Sequence, residues 1–264
     1  MGTRLRDIIA AKRRELETEG VGPAVATALQ ASPAGFFKNA VCRDDRLGII
    51  AEIKKASPSA GVIRDDADPV AIAAGYQRAG AAAVSVVTEK VFFKGSPGML
   101  SEVRRSVSIP VLRKDFIIDE CQIHESRHIG ADAVLLIARI LSREKLAGFL
   151  KLCARLELAA LTEVHSAEDM EKALLCGADM IGINNRDLDS FDVSLEKTEL
   201  LAPMAPAGCC LVSESGVRTP GDLRRIRACG VSAALVGTAF MSAVDPAEAA
   251  ATLVRAGMAL GRGG

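Results

Sequence analysis

The stretch Gly130-Ala131-Asp132-Ala133-Val134-Leu135-Leu136 shows the pattern that decides the fold of this chain. A glycine that can end a helix in the left-handed conformation is followed by a short turn and then by a buried, β-prone run. The pattern recurs at Gly80-Ala-Ala-Ala-Val, Gly177-Ala-Asp-Met-Ile-Gly-Ile and Gly230-Val-Ser-Ala-Ala-Leu-Val. The sequence therefore predicts four equivalent junctions between a helix and a strand.

The spacing of these glycines sets the number of strands. They lie 50, 47 and 53 residues apart. Because one strand–helix unit of a barrel takes roughly half that length, each interval holds two units, and the four junctions begin strands 2, 4, 6 and 8. The odd strands are predicted at 49–54, 110–114, 158–163 and 209–214, with helices at 69–79, 120–129, 143–156, 167–176, 220–228 and 246–259. We expect a single α/β domain over residues 1–264, a (β/α)8 TIM barrel.

A helical segment precedes the first strand. Apolar residues recur at helical spacing within 3–19, and a second short helix is predicted at 23–31. Residues 1–48 are therefore expected to form an N-terminal helical extension, in which Phe36 and Phe37 are packing residues. The alternative is that the extension closes over the site as a lid. The alternative fold is a doubly wound open sheet, which the absence of G-x-G-x-x-G after a strand disfavours.

Composition limits the partners and the compartment. The chain has 33 basic and 33 acidic residues and no Trp, which argues against a nucleic-acid or anionic-membrane partner. Its 7 cysteines contain no C-x-x-C, so we expect neither disulfides nor zinc, but small core residues in a reducing environment, Cys209 and Cys210 among them. No apolar run approaches the length of a membrane span. These features predict a soluble, cytoplasmic protein.

Polar residues stand where the predicted strands end, and barrel enzymes carry their sites at that end. The positions are Glu52 and Lys54; 88–90; Lys114 and Asp115; Glu163; 184–187; 213–216; and 237–238, whereas strand 4 ends in an apolar run that includes Leu135. Glu52 and Lys54 lie on one face of their strand, so they either hold a polar ligand or form an ion pair kept for packing.

The last two strands end in Gly-containing pairs, which predict the class of ligand. Ser215-Gly216 and Gly237-Thr238 lie after strands 7 and 8, where barrels commonly bind phosphate through backbone N–H groups. A glycine after a strand is often only a turn residue, and that alternative applies to each pair alone. Together they predict phosphate binding by Gly216, Gly237 and Thr238, so that Gly237→Asp should raise KM more than it lowers kcat.

Other polar residues are assigned structural roles. His124 and His128 are four apart on a predicted helix, but without a third ligand nearby they are expected on a solvated face and not at a metal. His165 is interpreted as a turn residue, although it points the same way as Glu163 if the strand extends that far. Asp115 and Asp187 are expected to anchor loops. Glu214 either faces the barrel interior as an ion-pair partner or contacts substrate.

Six segments of the chain match the motif series of a known family. They are Glu52-Ile-Lys54-Lys-Ala-Ser57-Pro-Ser59, Thr88-Glu-Lys-Val-Phe92-Phe93-Lys-Gly95-Ser96, Leu112-Arg-Lys114-Asp-Phe116-Ile, Leu161-Thr-Glu163-Val-His165, Ile183-Asn184-Asn185-Arg186-Asp187-Leu188 and Ser213-Glu214-Ser215-Gly216. In this order the segments resemble indole-3-glycerol-phosphate synthase, and the resemblance runs from about Leu5 to Met258.

The resemblance implies a reaction and a set of roles. The reaction closes the ring of 1-(2-carboxyphenylamino)-1-deoxyribulose 5-phosphate, with loss of CO₂ and water, to give indole-3-glycerol phosphate in tryptophan biosynthesis. It implies that Lys114 is the general acid and Glu163 its partner and later base. By the same resemblance Lys54 and Arg186 hold the substrate carboxylate; Glu52, Asn184, Ser57 and Ser215 position the substrate; and Phe93, Phe116 and Leu135 form an apolar slot for the aryl ring.

The resemblance implies no metal or cofactor, and a monomer or homodimer acting on a phosphorylated small molecule. Two alternatives stay open at this point. One is another phosphate-binding barrel enzyme, such as phosphoribosylanthranilate isomerase, which needs no pair of strand-end lysines beside an aryl slot. The other is a sugar-phosphate sensor of the same fold, which binds the ligand without turnover.

Overall fold

The fold is a closed barrel of eight parallel strands, in a computed structural model that describes residues 3–19, 32–33, 35–187 and 192–261. Each strand pairs with the next along the chain, and the last pairs with the first, so that Ile50 lies opposite Leu235. The predicted barrel is confirmed, and the open sheet is wrong. The strands are β1 Gly48–Ile53, β2 Ala83–Val87, β3 Val111–Lys114, β4 Ala133–Ile137, β5 Ala159–Val164, β6 Met180–Asn184, β7 Cys210–Glu214 and β8 Ala233–Val236.

Helices connect the strands, and most of them begin at a side-chain cap. Ser96, Ser142 and Ser166 each accept a backbone N–H in the first turn of a helix, which satisfies a donor that has no partner within the helix. The helices are α1 Thr3–Glu19, α2 Phe36–Val41, α3 Pro69–Arg78, α4 Pro97–Ser106, α5 Glu120–His128, α6 Arg143–Arg155, α7 Ala167–Leu175, α8 Glu196–Leu201, α9 Pro220–Ala228, α10 Thr238–Met241 and α11 Pro246–Met258. A short antiparallel hairpin, Ala56–Ser57 with Gly61–Val62, follows β1.

The four repeat glycines lie where the repeat predicts. Gly80, Gly130, Gly177 and Gly230 have φ of 87°, 89°, 85° and 82°, and each precedes the next even-numbered strand by three residues. A residue with a Cβ adopts this left-handed conformation only with strain, so the glycine ends the helix at a fixed point. The repeat is therefore a set of helix C-caps that starts β2, β4, β6 and β8.

Side chains of the strands divide into an outer and an inner core. Ile49, Ala51 and Ile53 of β1 face outward and pack with the helices. Ile50 faces inward, in an interior cluster with Leu112, Leu135, Leu161, Val212 and Leu235. Phe37 and Val41 of α2 join this interior cluster and are 1% and 0% exposed, so α2 fills the end of the barrel where the strands begin. Phe37 therefore packs as predicted and does not form a lid over the strand ends.

The structure corrects the interpretation of one cysteine pair. Cys42, directly after α2, is disulfide-bonded to Cys210 at the start of β7, with the Cα atoms 5.7 Å apart. The expectation that all the cysteines are reduced core residues is wrong for this pair. Because the two residues are 168 positions apart in sequence, no local pattern indicates that they meet. The other five cysteines are free.

Helix α1 of the extension lies against the opposite end of the barrel. Leu5, Ile8 and Ile9 are buried, and the ammonium group of Lys12 lies 3.1 Å from Asp115, which follows β3 directly. The predicted helix over 3–19 is confirmed, whereas the one predicted at 23–31 lies outside the described residues. In the described segments, no helix is long and apolar enough to cross a membrane.

Candidate active site

One cavity lies at the carboxyl-terminal ends of the barrel strands. Every residue that the sequence assigns to the site lines it, so the structure brings all of them together: Glu52, Lys54, Ser57, Phe93, Lys114, Phe116, Leu135, Glu163, Asn184, Arg186, Ser215, Gly216, Gly237 and Thr238. The strand ends meet because eight parallel strands leave the barrel on one side. The cavity is also lined by Glu214, Arg218 and two residues of α1, Leu5 and Ile8.

The centre of the cavity is a layer of charged side chains. Glu52, Lys114, Glu163 and Glu214 come from β1, β3, β5 and β7, each at the last or next-to-last residue of its strand. Barrel interiors stack side chains in layers of four that alternate strands contribute. Here the layer consists of ionisable side chains instead of aliphatic ones, and it combines one lysine with three glutamates.

Lys114 contacts two of these carboxyl groups. Its Nζ lies 3.0 Å from Oε2 of Glu163 and 3.2 Å from Oε2 of Glu214. Burial alone would lower the pKa of Lys114, but Glu163, Glu214 and Glu52 together raise it above its ordinary value. Burial would raise the pKa of Glu163, but Lys114 and His165 outweigh it and hold that pKa below its ordinary range. The site thus holds an ammonium group beside a carboxylate.

One carboxyl group of the layer, that of Glu214, has a raised pKa. Burial raises its pKa to about 8; Lys114 opposes that rise, and the charge of Glu163 adds to it. Although Oε2 is within ion-pair distance of Lys114, neither carboxyl oxygen has hydrogen-bond geometry to a partner. Oε1 lies against Gly182 of β6, where a Cβ atom would collide with it. Glu214 therefore points into the barrel interior as a neutral carboxyl group, and it also lines the cavity.

Glu52 and Lys54 form a pair at the edge of this layer. Nζ of Lys54 donates a 2.8 Å hydrogen bond to Oε1 of Glu52, and both side chains are largely buried. The Glu52 carboxylate also occupies the space where Gly237 would carry a Cβ. The lack of a side chain at Gly237 therefore makes room for Glu52.

An apolar slot forms on one side of the cavity. The rings of Phe93 and Phe116 lie with centroids 6.2 Å apart and tilted by 42°, and Leu135 lines the same cavity. Phe93 is held by Glu89, whose carboxylate accepts the backbone N–H groups of Val91, Phe92 and Phe93. This carboxylate fixes the loop that follows β2, so the slot is built before a ligand arrives.

The loops after β6 and β7 are joined by Asn185. Its amide nitrogen donates to Oγ of Ser213 at 2.9 Å and to the backbone carbonyls of Glu214 and Ser215 at 3.0 and 2.9 Å. Its neighbour Asn184 accepts the backbone N–H of Arg186 at 3.0 Å. The amides of 184 and 185 thus position the two loops that carry Arg186 and Ser215.

The loop after β7 has an unusual backbone. Ser215 has φ of 62° and Gly216 has φ of 91°, two successive residues in the left-handed region. Such strain in a non-glycine residue persists only where the surrounding structure enforces it. A Cβ on Gly216 would also approach Cγ1 of Val193 to 2.8 Å. Arg218 lines the cavity beyond this loop, and burial followed by the positive charge of Arg218 lowers the pKa of Arg186. This part of the cavity is positively charged, which suits a phosphate.

Asp115 anchors the chain behind Lys114. Its carboxylate accepts hydrogen bonds from Oγ1 of Thr88 at 2.6 Å and from the backbone of Phe116 at 2.8 Å, and it forms ion pairs with Lys12 and Arg113. Burial would raise the pKa of Asp115, but Lys12 and Arg113 outweigh it and lower that pKa. The contacts fit the loop-anchoring role expected from the sequence.

The structure adds contacts of His165 that the sequence did not specify. His165 lies in the bend after β5, as interpreted, but its imidazole is buried and lies 2.8 Å from Oε1 of Glu163. The two-residue alternation of β5 was the available signal, since His165 follows Glu163 by two. His124 is exposed on α5, as expected. Across the described parts of the chain no cluster of His, Cys, Asp and Glu could hold a metal ion.

Comparison with known proteins gives the same family. The family model described as indole-3-glycerol phosphate synthase matches residues 5–253. Indole-3-glycerol phosphate synthase of Thermoanaerobacter pseudethanolicus is 42% identical over 253 residues, 95% of this chain and 97% of the relative. The enzyme of that name from Geobacillus thermodenitrificans is 47% identical over 243 residues, 91% of this chain and 93% of the relative.

Solved structures confirm the fold at low sequence identity. A thiamine phosphate pyrophosphorylase from Pyrococcus furiosus superposes with a TM-score of 0.62 at 16% identity, covering 83% of this chain and 98% of that one. Because so low an identity shows the fold alone, the family rests on the sequence matches over nearly the whole chain and on the site that those residues build. The chain belongs to the indole-3-glycerol phosphate synthase family.

Proposed function

We propose that this cavity converts 1-(2-carboxyphenylamino)-1-deoxyribulose 5-phosphate into indole-3-glycerol phosphate, CO₂ and water. The observation that carries the proposal is the charged layer, in which the ammonium group of Lys114 lies between the carboxyl groups of Glu163 and Glu214 beside an apolar slot. The reaction needs a cation near a ketone oxygen, a base nearby and a place for an aryl ring.

The substrate is held at both ends. Its phosphate binds at the loops of Gly216 and Gly237-Thr238, in the part of the cavity that Arg218 makes positive. Its aryl ring enters the slot of Phe93, Phe116 and Leu135, and its carboxylate meets Lys54 and Arg186. Ser57, Asn184 and Ser215 line the space between these ends and bind the hydroxyl groups. Two fixed ends hold the ring carbon over the ketone, and such orientation lowers the barrier to ring closure.

Ring closure places negative charge on the ketone oxygen. The aryl carbon that bears the carboxylate attacks the ketone carbon, and the oxygen takes a proton from Lys114. The raised pKa of Lys114 ensures that it is an ammonium group at neutral pH, so it also stabilises the charge as it develops. The carbon–carboxylate bond then breaks, and its electron pair restores the aromatic ring as CO₂ leaves.

Dehydration completes the indole. The hydroxyl group formed in the first step leaves as water after it accepts a proton from the ammonium group of Lys54, and Glu163 removes a proton from the adjacent carbon. The lowered pKa of Glu163 keeps it ionised and able to accept that proton. Glu52 is close to Lys54 and helps to position the amine and sugar groups.

The test is an assay with purified protein and the carboxyphenylamino substrate. We expect indole fluorescence to appear with release of one CO₂ per product, and to be lost in Lys114→Met but kept in Lys151→Met, which changes an exposed lysine. Saturable binding without fluorescence would instead support a sugar-phosphate sensor. Turnover of phosphoribosyl anthranilate, with none of the carboxyphenylamino substrate, would replace this proposal with the isomerase.

A further inference from the structure

His165 is a buried polar residue for which the proposed mechanism has no role. Its side chain is 2% exposed, although it directly follows the last residue of β5. Nε2 lies 2.8 Å from Oε1 of Glu163, and Nδ1 lies 3.3 Å from the backbone carbonyl oxygen of Arg186. Its backbone N–H donates to Asp169 of α7 at 3.1 Å. Contacts on both sides thus fix the imidazole between the base and a cavity loop.

These two partners determine where the protons are. A carbonyl oxygen can only accept, so Nδ1 of His165 must carry a hydrogen. Nε2 then either carries a second hydrogen and donates it to a Glu163 carboxylate, or carries none and accepts from a protonated Glu163. A neutral imidazole with its hydrogen on Nε2 would set the lone pair of Nδ1 against the carbonyl oxygen. Either allowed arrangement has one hydrogen between Nε2 and Oε1.

We propose that His165 and Glu163 share one proton between Nε2 and Oε1, and that His165 is the positioning residue that keeps Oε2 of Glu163 directed at Lys114 and the substrate. Moving the shared proton converts a carboxylate and an imidazolium into a carboxyl group and a neutral imidazole, with nothing gained or lost. Glu163 can therefore exchange a proton with a neighbour that is closed to solvent. The catalytic part of this inference rests on the proposed function.

Lys114 is the charged group near the pair that favours the ionised form of Glu163. Lys114 reaches Oε2 of Glu163 from β3, whereas Glu214 approaches from β7 as a neutral carboxyl group. Arg186 contributes its carbonyl and lies in the loop after β6, and Asp169 lies under the backbone of His165. Burial would raise the pKa of Glu163, but Lys114 and the contact with His165 outweigh it, which favours the carboxylate form of Glu163 in the free protein.

The first test uses no substrate. The chain has only 3 histidines, so ¹⁵N-histidine NMR resolves each ring, and His165→Asn identifies the signals of His165. We expect Nδ1 of His165 to stay protonated from about pH 6 to 9, and Nε2 to lose its hydrogen in Glu163→Gln, because the Gln amide then donates to it. A neutral ring with hydrogen on Nε2 in the wild type would overturn the inference, whether or not the protein turns over substrate.

The second test is the pH profile of kcat. His165→Leu removes a contact that lowers the pKa of Glu163, so the acid limb of kcat should move to higher pH and kcat should fall by about 10². His165→Asn keeps a donor for Oε1 and should restore part of kcat with little change in KM. His124→Asn, on the exposed face of α5, is the matched control. A Leu variant with wild-type kcat and an unmoved acid limb would refute the positioning role.

Discussion

Nζ of Lys114 lies 3.0 Å from Oε2 of Glu163, although the two residues are 49 positions apart and belong to strands that are not neighbours in the barrel. This hydrogen bond connects the proposed acid, Lys114, with the proposed base, Glu163, across the cavity. Each group holds the other in its charged form, since each shifts the pKa of its partner in the stabilising direction.

Lys114→Ala tests the acid directly. We expect kcat to fall by roughly 10² to 10⁴ with a smaller change in KM, because a proton donor and its charge act mainly in the transition state. Steady-state kinetics by indole fluorescence measures both constants. A loss in kcat of about tenfold or less would remove Lys114 from this role.

Glu214→Gln should change how stability depends on pH. The folded protein keeps the Glu214 proton up to about pH 8, while a Glu in the unfolded chain loses it near the ordinary pKa of 4.5. Between these values the folded state binds more protons, so rising pH lowers the free energy of unfolding. Gln does not titrate, and the variant should therefore lose less stability between pH 5 and 8.

Denaturant unfolding at several pH values measures how the free energy of unfolding changes with pH. Glu102→Gln, at an exposed position of α4, is the control and should keep the wild-type slope. If wild type and Glu214→Gln had parallel pH profiles, Glu214 would not be the carboxyl group that stays protonated.

Gly237→Ala should affect kcat as well as KM. The sequence alone predicts mainly a KM effect for Gly237→Asp, through phosphate binding. In the structure a Cβ at this position collides with the Glu52 carboxylate, which is bonded to Lys54. We expect kcat to fall about tenfold or more while KM rises. Gly148→Ala, which has open space around it, should leave both constants unchanged; a pure KM effect at 237 would show that Glu52 adapts at no cost.

Lys12→Met should destabilise the protein although Lys12 lies outside the barrel. Lys12 is 2% exposed, and its ammonium group pairs with Asp115 and Glu15 at 3.1 and 2.7 Å. Removing one member of a buried ion pair typically costs about 3 kcal/mol or more. Adding Asp115→Asn should return part of that loss in a double-mutant cycle, while Arg14→Met, at an exposed position of α1, should cost little.

Because of the disulfide between Cys42 and Cys210, we expect the free energy of unfolding to depend on the presence of a reductant. Under oxidising conditions Cys42→Ser should lower the free energy of unfolding by about 2–4 kcal/mol. Reductant should bring the wild type down to the level of the variant and leave the variant unchanged. Cys121→Ser, which removes a free thiol, is the control. Seven thiols titrated in unreduced, unfolded wild type would contradict the bond, since the structure leaves five.

The fold and the membership of the site were predictable because they depend on local patterns. Gly130 marks a helix end, the run after it marks a strand, and a barrel gathers strand ends at one side. Hence Glu52, Lys114 and Glu163 could be assigned to one cavity although they are distant in sequence.

Contacts within the site were not predictable from those patterns. Whether His165 turns inward depends on where β5 ends, and a shift of one residue reverses its direction. Two contacts depend on how the strands are staggered, which no local signal encodes. They are the close approach of Glu52 to Gly237 and the disulfide between Cys42 and Cys210. Such features arise from tertiary geometry alone.

Helix α2 determines which end of the barrel small molecules can use to enter and leave. Phe37 and Val41 fill the end of the barrel at which the strands begin, and the disulfide between Cys42 and Cys210 links α2 to β7. Substrate, product and CO₂ must then enter and leave by the opposite end of the barrel, where the strand ends form the active-site cavity.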